Sequence, residues 1–347
     1  MAGDLRLICV TKRMPHHGAR AGYSGLIPHL GADRIVAVPS TGPVRWLGAA
    51  TRRLRLGRPP GSDWWGAHSA AAELWAMQAS LRAPSVVHVM YGEDLLGLSS
   101  YLSGPRRRVV ATFHQPMARV DALHVPRGAV ERLDALIALD EAAAEGWRAR
   151  FPGLAVHALR LGVDTDFWSP PPEGAERKRT CLVVGAHLRD FEALLGAAPI
   201  LSSAGVSLDL VGVGEEPASR LAKEIEVRRH VGISDEALLA LYRTCGLFLL
   251  PLGGASANNA LLQAMAAGCP VVCTDLPGIR SYLPQAAARW AAQGDGPAHA
   301  AAALALLEDR AEARRLGAAA RAGVEPFAWP ALAAAHWAVY RGSSARS

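Results

Sequence analysis

The chain has 347 residues, of which half are hydrophobic and a fifth are charged. This composition excludes intrinsic disorder, and the length is sufficient for two domains of ordinary size. Met1–Asp4 leads directly into a strand pattern, and no apolar run approaches the ~20 residues of a membrane span, so we expect neither a signal peptide nor a transmembrane helix. The five cysteines lack paired zinc-ligand spacing, which favours buried free thiols in a reducing cytoplasm.

The net positive charge lies wholly in the first half of the chain. Residues 1–170 hold 20 Lys+Arg and 14 Asp+Glu, whereas residues 171–347 hold 17 of each. This excess suggests an acidic partner, although a solvated surface is the simpler interpretation. Arg52–Arg58 and Arg106–Arg108 could meet anionic lipid headgroups, which would place a cytoplasmic protein at the inner membrane face; a soluble acceptor fits these runs equally well. Nucleic acid is not an expected partner, because basic and aromatic residues do not interleave.

In the first half, short apolar runs alternate with helical patterns. The predicted strands are Leu5–Thr11, Arg34–Pro39, Ser85–Met90, Arg108–Phe113 and Ala135–Leu139, and the predicted helices are Ser69–Ala83 and Ala142–Arg150. Continuous apolar runs are typical of strands in a parallel sheet that is covered on both faces. The first half is therefore predicted to be a doubly wound α/β domain.

The second half repeats this alternation after the proline-rich linker Trp168–Gly174. Its predicted strands are Cys181–Val184, Ser207–Val211, Leu247–Leu250 and Pro270–Thr274. Its predicted helices are Phe191–Ser203, Pro217–Val227, Asp235–Thr244, Ala260–Ala267, Pro297–Glu308 and Arg310–Gly323. The apolar pattern Pro326–Arg341 predicts a last helix that packs back on the first domain. The predicted domains are thus 1–168 and 169–325, followed by the returning segment 326–347.

The strongest chemical signal is a small-residue loop that leads into a helix. Gly253–Ala257 follows the strand ending at Pro251, Asn258 is a natural helix cap, and Ala260–Ala267 forms the helix. Free N–H groups and the positive end of the helix dipole at Asn258–Leu261 suit a diphosphate. This pattern alone predicts an anion site, with a tight turn of no chemical role as the alternative.

The sequence Leu-Leu-Gln-Ala-Met-Ala-Ala-Gly-Cys-Pro-Val-Val at 261–272 resembles the donor signature of glycosyltransferase family 4. Further resemblances follow in the order of the family, at Leu161–Pro170, Val184–Gly185, Leu210–Gly214, Val231–Tyr242 and Phe327–Ala333. The resemblance implies a GT-B fold, in which two Rossmann-like domains face a central cleft and the last helix returns to the first domain. It also implies a retaining transferase that moves a sugar from a nucleoside-diphosphate sugar to an acceptor hydroxyl.

The chain departs from the family at the two signature glutamates, which are replaced by Ala255 and Gln263. In the family the first glutamate contacts the donor sugar or phosphate, and the second contacts the ribose. Gln263 can still bond a ribose hydroxyl through its amide, and Asn258 or Asn259 could replace the group that Ala255 lacks.

The arginine that neutralises the diphosphate in the family is also replaced, by Ala186 after Gly185. His187 and Arg189 are the nearby candidates for phosphate contact. Arg189 is favoured because its planar fork can hold two phosphate oxygens. The alternative is that Arg189 pairs only with Asp190 or Glu192.

In the first domain, the glycine-rich segment Lys12–Gly25 resembles the family's loop facing the diphosphate. His114 follows a predicted strand, and the resemblance implies that it contacts the donor sugar near the reaction centre; a structural loop histidine is the alternative. His88 lies inside a strand pattern, which favours a core role. Glu93 and Asp94, after the same strand, could hold acceptor hydroxyls.

The predicted site combines these groups. The predicted catalytic residues are His114, Arg189 and Asn258. The predicted donor-binding residues are Gly18, Gly22, Gly185, His187, Arg189, Gly212, Gly214, Gly232, Ile233, Ser256, Asn258, Asn259, Ala260, Leu261 and Gln263. The predicted acceptor-binding residues are Tyr23, Tyr91, Glu93 and Asp94.

We expect no cofactor and no metal, because helix-start N–H groups, the glycine loop and Arg189 could stabilise the leaving diphosphate, and because no Asp-x-Asp pattern ends a strand. The partners would be a nucleotide-sugar donor and a small-molecule, saccharide or lipid-linked acceptor.

Three other functions remain open. An epimerase would need paired acid and base carboxylates around a sugar carbon, and the sequence shows no such pair. A phosphorylase would need a lysine that carries pyridoxal phosphate, and none of Lys12, Lys178 and Lys223 is well placed. Loss of both signature glutamates is also compatible with an inactive scaffold that binds a nucleotide sugar without turnover.

Overall fold

The computed structural model describes residues 5–12, 20, 22–37, 66–115, 120–121, 123–254 and 257–342. Predictions that concern Gly18, Ala255, Ser256 and the run 52–58 lie outside the described residues. Within them the chain divides into two compact units. Unit 1 contains the described residues up to Lys12, Tyr23–Leu161 and the residues from Pro330 on, and unit 2 contains Arg20, Gly22 and Gly162–Trp329. The predicted domain bounds at 168 and 325 stay predictions.

Unit 1 is built on six parallel strands in the order β2-β1-β3-β4-β5-β6. The strands are β1 (Arg6–Thr11), β2 (Arg34–Ala37), β3 (Ser85–Val89), β4 (Arg107–Phe113), β5 (Ala135–Ala138) and β6 (Val156–Ala158). The helices are α1 (Ile27–Leu30), α2 (Ala67–Ser80), α3 (Gly92–Leu95), α4 (Arg127–Glu131) and α5 (Glu141–Arg150), with 3-10 turns at Tyr23–Leu26 and Ser99–Leu102.

The topology of unit 1 follows from the burial of its central strands. All of β3 and almost all of β1 are buried, as expected for strands covered on both faces. From β1 the chain proceeds to β2 on one side and then to β3 on the other, so the strand order reverses between β1 and β3. In open α/β sheets, ligands bind outside the carboxyl ends of the strands at such a switch point.

Unit 2 also has six parallel strands, in the order β12-β11-β10-β7-β8-β9. The strands are β7 (Thr180–Val184), β8 (Ser207–Val211), β9 (Val227–His230), β10 (Leu247–Leu250), β11 (Val271–Thr274) and β12 (Arg289–Ala291). The helices are α6 (Phe191–Ser203), α7 (Glu215–Leu221), α8 (Asp235–Thr244), α9 (Asn259–Ala266), α10 (Pro277–Arg280), α11 (Gly296–Glu308) and α12 (Arg310–Val324), with 3-10 turns at Gln285–Ala287 and Glu325–Phe327. Its switch point lies between β7 and β10.

The last helix, α13 (Trp329–Tyr340), packs into unit 1 as predicted. The Trp337 indole donates to the carbonyl of Leu30 at 3.1 Å, and the Tyr340 hydroxyl lies 2.7 Å from Nδ1 of His88 in β3. These hydrogen bonds fasten α13 to the sheet and to α1.

The prediction of one helix over 217–227 is wrong. The helix is α7, which ends at Leu221, and Val227 begins β9 and pairs with Leu208 of β8. An edge strand with exposed arginines gives no apolar run, so β9 was not predicted, and neither were the short edge strands β6 and β12.

Candidate functional site

The loops after β7 and β10 lie side by side at the switch point of unit 2. The backbone N–H of Asp190 donates to the carbonyl of Pro251 at 3.1 Å, and that of Gly253 donates to the carbonyl of Leu188 at 3.0 Å. Gly185 begins the first loop in the left-handed region, with φ of 80°, and a Cβ there would lie 3.4 Å from the Arg189 guanidinium. The fold therefore brings the predicted segment 185–189 next to the loop that leads into α9.

The start of α9 is arranged as predicted. Asn258 is the N-cap, and its Oδ1 accepts the N–H of Leu261 at 3.0 Å. Oδ1 of Asn259 accepts the N–H of Gly22 at 3.3 Å. Within the part of the chain that the structure describes, no acceptor takes the backbone N–H of Asn259 or Ala260. Two donors and the positive end of the helix dipole are thus available for an anion.

Arg189 turns back onto its own loop. Its guanidinium donates to the carbonyl of Val184 at 2.5 and 3.0 Å and to that of His187 at 3.2 Å. Burial lowers the pKa of Arg189 to about 10, so the side chain remains a cation at neutral pH. Phosphate contact by Arg189 stays a prediction.

The alternative partners of Arg189 are wrong. Asp190 caps α6 by accepting the N–H of Ala193 at 2.9 Å. Glu192 pairs with Arg220 at 2.8 Å. Neither carboxylate therefore neutralises Arg189.

The other predicted glycines lie along the same edge of the sheet. The N–H of Gly185 donates to Val211 at the end of β8, and the N–H of Gly212 donates to His230 at the end of β9. Gly214 is the N-cap position of α7. Gly232 and Ile233 lie just before α8, whose N-cap is Ser234, since the Ser234 Oγ accepts the N–H of Ala237. The carboxylate of Asp235, the first residue of α8, accepts the backbone N–H of Arg20 at 2.9 Å.

Gln263 faces the interior of unit 2. The Tyr242 hydroxyl donates to the carbonyl of Ala260 at 3.0 Å and lies 3.4 Å from Oε1 of Gln263. Leu261 is fully buried, so it can contribute only through its backbone. Ribose contact by Gln263 stays a prediction. The side-chain amide nitrogen of Gln263 is the group that would donate to the ribose hydroxyl.

A pair of buried side chains that was not predicted holds the loop before α9. Nδ1 of His299 donates to the carbonyl of Asp295 at 2.7 Å, which leaves Nε2 to accept from the Thr274 hydroxyl at 3.0 Å. The Thr274 oxygen in turn accepts the N–H of Leu252 at 2.8 Å. His299 lies within an alanine-rich helix pattern, where no sequence signal distinguishes it from a packing residue.

The switch point of unit 1 carries an ion pair in which the acid is buried and the lysine is partly exposed. Lys12 follows β1 and Asp94 follows β3, and Nζ lies 3.1 Å from Oδ1. Asp94 is 1% exposed. The carboxylate of Asp94 already binds Lys12, and acceptor binding by Asp94 stays a prediction.

His114, directly after β4, is held on three sides. Its backbone N–H donates to both oxygens of Glu93 at 3.1 and 3.2 Å, and its Nδ1 lies 3.2 Å from Oε1. The ring stacks on Tyr91 at 4.7 Å and meets the Tyr23 ring edge-on at 4.9 Å. A carboxylate beside an imidazole fixes the orientation of the ring. Glu93 is 1% exposed, and its carboxylate holds His114 in place. Acceptor binding by Glu93 and Tyr91 stays a prediction.

Tyr23 belongs to a buried hydrogen-bond network. Its hydroxyl lies 2.5 Å from Nε2 of His336 and 3.0 Å from Oγ1 of Thr112, which is 2.8 Å from Nε2 of His88. Burial lowers the pKa of His336 to about 4 and that of His88 well below its usual value. The core role predicted for His88 is confirmed. Tyr23 is also buried, and acceptor binding by Tyr23 stays a prediction.

Within the described residues, no group of three or more His, Cys, Asp or Glu side chains is arranged to hold a metal ion. In the same part of the chain, no helix combines the length and hydrophobicity that crossing a bilayer requires. Metal independence and cytoplasmic location stay predictions.

Comparison with known proteins identifies a family model and several relatives. Residues 178–309 match the family described as Glycosyl transferases group 1. The phosphatidyl-myo-inositol mannosyltransferase of Mycobacterium leprae is 30% identical over 249 residues, which are 67% of this chain and 66% of that protein. That of Mycolicibacterium smegmatis is 31% identical over 254 residues, which are 67% and 64% of the two chains. The chain spans slightly less than two thirds of the length of these relatives.

A third relative and two solved structures extend the comparison. The D-inositol 3-phosphate glycosyltransferase of Streptomyces griseus is 31% identical over 199 residues, 54% of this chain and 42% of that protein. Sucrose-phosphate synthase from Thermosynechococcus elongatus superposes with a TM-score of 0.71 at 16% identity, over 99% of this chain and 100% of that one. Anabaena HepE in complex with UDP-glucose gives 0.69 at 15% identity, over 98% and 100%. The predicted fold class, two Rossmann-like units of the GT-B type, is confirmed.

Proposed function

Because this chain belongs to the group 1 glycosyltransferases, we propose that it transfers a sugar from a nucleoside-diphosphate sugar to an acceptor hydroxyl. The observation that carries the proposal is the start of α9 at the switch point of unit 2. There Asn258 caps the helix and leaves the N–H groups of Asn259 and Ala260 pointing to no described acceptor. These donors and the helix dipole suit a diphosphate.

The leaving group is stabilised by this helix start. Glycosyl transfer builds negative charge on the departing diphosphate, and fixed N–H donors lower the barrier because they need no rearrangement as the charge develops. Arg189, a cation in the adjacent loop, adds positive potential on the same sheet edge. The reaction proposed here needs no metal, because these donors stabilise the developing charge. It retains the anomeric configuration, as the family resemblance implies.

His114 contacts the donor sugar in the proposed reaction. Its position directly after β4, at the carboxyl edge of the unit 1 sheet, supports this contact. Glu93, whose Oε1 lies 3.2 Å from Nδ1 of His114, fixes the orientation of the imidazole.

The acceptor proposed is an inositol that carries a phosphate, either free or as part of a lipid. Two observations support this class. The relatives with similar sequence are named for phosphatidyl-myo-inositol or D-inositol 3-phosphate. The net positive charge of residues 1–170 favours an acidic acceptor over a neutral one. Lipid-linked acceptors would bring the protein to a membrane surface.

The test is turnover by the full chain. Sugar nucleotides that differ in base and sugar are incubated with inositol phosphate or with vesicles that contain phosphatidylinositol, with and without EDTA, and release of nucleoside diphosphate is followed. We expect one donor to be consumed, EDTA to leave the rate unchanged, and the product to keep the donor's anomeric configuration by NMR. His114→Ala should lower the rate at least about a hundredfold, whereas exposed His29→Gln should not. Binding of a donor without release of nucleoside diphosphate would overturn the proposal in favour of an inactive scaffold.

A further inference from the structure

Two of the five cysteines are in contact within unit 2. Cys245 directly follows α8, and Cys269 lies in the short connection between α9 and β11. Their Sγ atoms are 3.4 Å apart, and both side chains are buried. At this separation one thiol can donate its S–H to the sulfur of the other.

Arg177 lies against this pair. Its Nη1 donates to the carbonyls of Tyr242 and Cys245 at 2.9 and 3.0 Å and lies 3.9 Å from Sγ of Cys269. Its Nη2 donates to the carbonyl of Gly268 at 3.0 Å. The three carbonyls hold the guanidinium in place beside the sulfur, so its positive charge favours a thiolate at Cys269 over one at Cys245.

The two thiols consequently differ in acidity. Burial alone would raise the pKa of Cys269, but the hydrogen bond from Cys245 and the charge of Arg177 lower it below its usual value. Burial and the Cys269 sulfur raise the pKa of Cys245 well above its usual value. Of the two thiols, Cys269 is therefore the one whose thiolate the surroundings favour, with Cys245 as the donor to its sulfur.

The remaining cysteines lack this arrangement. Burial raises the pKa of Cys9, Cys181 and Cys273 to about 12 in each case. Since the thiolate is the reacting form, these three thiols should be inert under conditions in which Cys269 reacts.

We propose that Cys269 and Cys245 form a dithiol that hydrogen peroxide converts into an intramolecular disulfide. The Cys269 thiolate attacks one oxygen of the peroxide, the O–O bond breaks, and Cys269 becomes a sulfenic acid as hydroxide leaves. The sulfur of Cys245 then attacks Sγ of Cys269, a molecule of water leaves with the sulfenic oxygen, and the S–S bond forms. Two thiols are oxidised by two electrons, and one peroxide is reduced to two molecules of water.

The geometry requires little movement for this step. A disulfide has an S–S length of about 2.05 Å, so the sulfurs, now 3.4 Å apart, must approach by somewhat more than 1 Å. Arg177, whose guanidinium lies 3.9 Å from Sγ of Cys269, is itself only partly buried. The proposal concerns the thiols alone and does not depend on the proposed transfer reaction.

The test is a count of thiols in the full chain. Reduced protein is treated with hydrogen peroxide, unfolded, alkylated with N-ethylmaleimide and weighed by mass spectrometry. We expect the treated protein to take up two fewer labels and to weigh two hydrogen atoms less before alkylation. Peptide mapping should join the peptides that contain Cys245 and Cys269, and dithiothreitol should restore both labels.

Single variants identify the order of events. Cys245→Ser should stop at a sulfenic acid on Cys269 that dimedone captures, Cys269→Ser should not react, and Cys9→Ser in unit 1 should behave as the parent protein does. Unchanged label counts in the parent protein after peroxide would overturn the proposal, and so would a disulfide that involves any other cysteine. A Cys245→Ser protein that dimedone labels at a residue other than 269 would contradict the assignment of Cys269 as the reacting thiol.

Discussion

Acid should destabilise unit 1 through His336. The ring is fully buried in α13, its Nδ1 donates to the carbonyl of Leu332 at 2.7 Å, and its Nε2 accepts from the Tyr23 hydroxyl. Both nitrogens are thus satisfied by a neutral ring, and a second proton on Nε2 would break the bond from Tyr23. Burial accordingly lowers the pKa of His336 to about 4.

The sign and size of the effect follow from linkage. An unfolded histidine has a pKa near 6.5, so between about pH 6.5 and 4 the unfolded state binds a proton that the folded state does not. Stability conferred by the neutral ring is therefore complete above pH 6.5 and is lost as the pH falls through this window. The difference of about 2.5 pKa units corresponds to about 3 kcal/mol for His336. The pKa of His88, also lowered by burial, adds a loss in the same direction.

Urea unfolding across this pH window measures the effect. Tryptophan fluorescence follows the transitions of the two units, and hydrogen exchange in α13 assigns one of them to unit 1. His336→Gln keeps an acceptor for Tyr23 but cannot be protonated. As the pH falls through the window, this variant should therefore lose about 3 kcal/mol less stability than the parent protein does. Exposed His29→Gln should retain the full pH dependence. If His336→Gln and the parent protein lose equal stability as the pH falls, then His336 is not the cause.

Two further substitutions test the packing of unit 2. Thr274→Val leaves the buried His299 Nε2 and the N–H of Leu252 without their partner. We expect the free energy of unfolding in urea to fall by about 1–3 kcal/mol and calorimetry to show weaker binding of a nucleoside diphosphate. An unchanged free energy of unfolding would contradict the hydrogen-bond chain. Gly296→Ala places a Cβ 2.4 Å from the carbonyl oxygen of Ala193, so α11 must shift away from α6, and we expect the free energy of unfolding to fall by about 1–3 kcal/mol. The control is Gly153→Ala, whose Cβ would meet nothing within 4 Å and which should be nearly neutral. Equal effects of the two changes would refute this close approach.

The fold could be predicted wherever burial leaves a clear pattern. Strands such as β3 and β10 are buried along their whole length and therefore read as continuous apolar runs. The strand β9 could not be recognised in this way, because Arg228 and Arg229 on an exposed edge follow a helix without an apolar run of their own. Its identity depends on pairing with β8, which is a contact distant in sequence.

The candidate site was predictable only where its geometry is local. Asn258 caps α9 three residues before its partner Leu261, so the sequence contains the whole interaction. The partners of Arg189 are carbonyls that its own loop presents after folding, whereas the sequence predicted phosphate contact, with two nearby carboxylates as the alternative. Thr274 and His299 meet across 25 residues, and each is unremarkable in its own segment.

The central claim, that unit 2 holds a nucleoside diphosphate at the start of α9, is tested most directly by Asn259→Asp. This change adds a charge with almost no change of shape, keeps an acceptor for the N–H of Gly22, and favours the helix because the charge lies in its first turn. Repulsion from a diphosphate a few ångströms away amounts to about 1–3 kcal/mol at an effective dielectric constant of about 20, which weakens binding roughly 10- to 100-fold.

Calorimetric titration with the nucleoside diphosphate that the parent protein binds should show this loss in Asn259→Asp. Exposed Gln285→Glu, the same charge change elsewhere in unit 2, should bind the diphosphate normally. Equal diphosphate affinity in Asn259→Asp and the parent protein would contradict the claim, as would the absence of diphosphate binding to the parent protein.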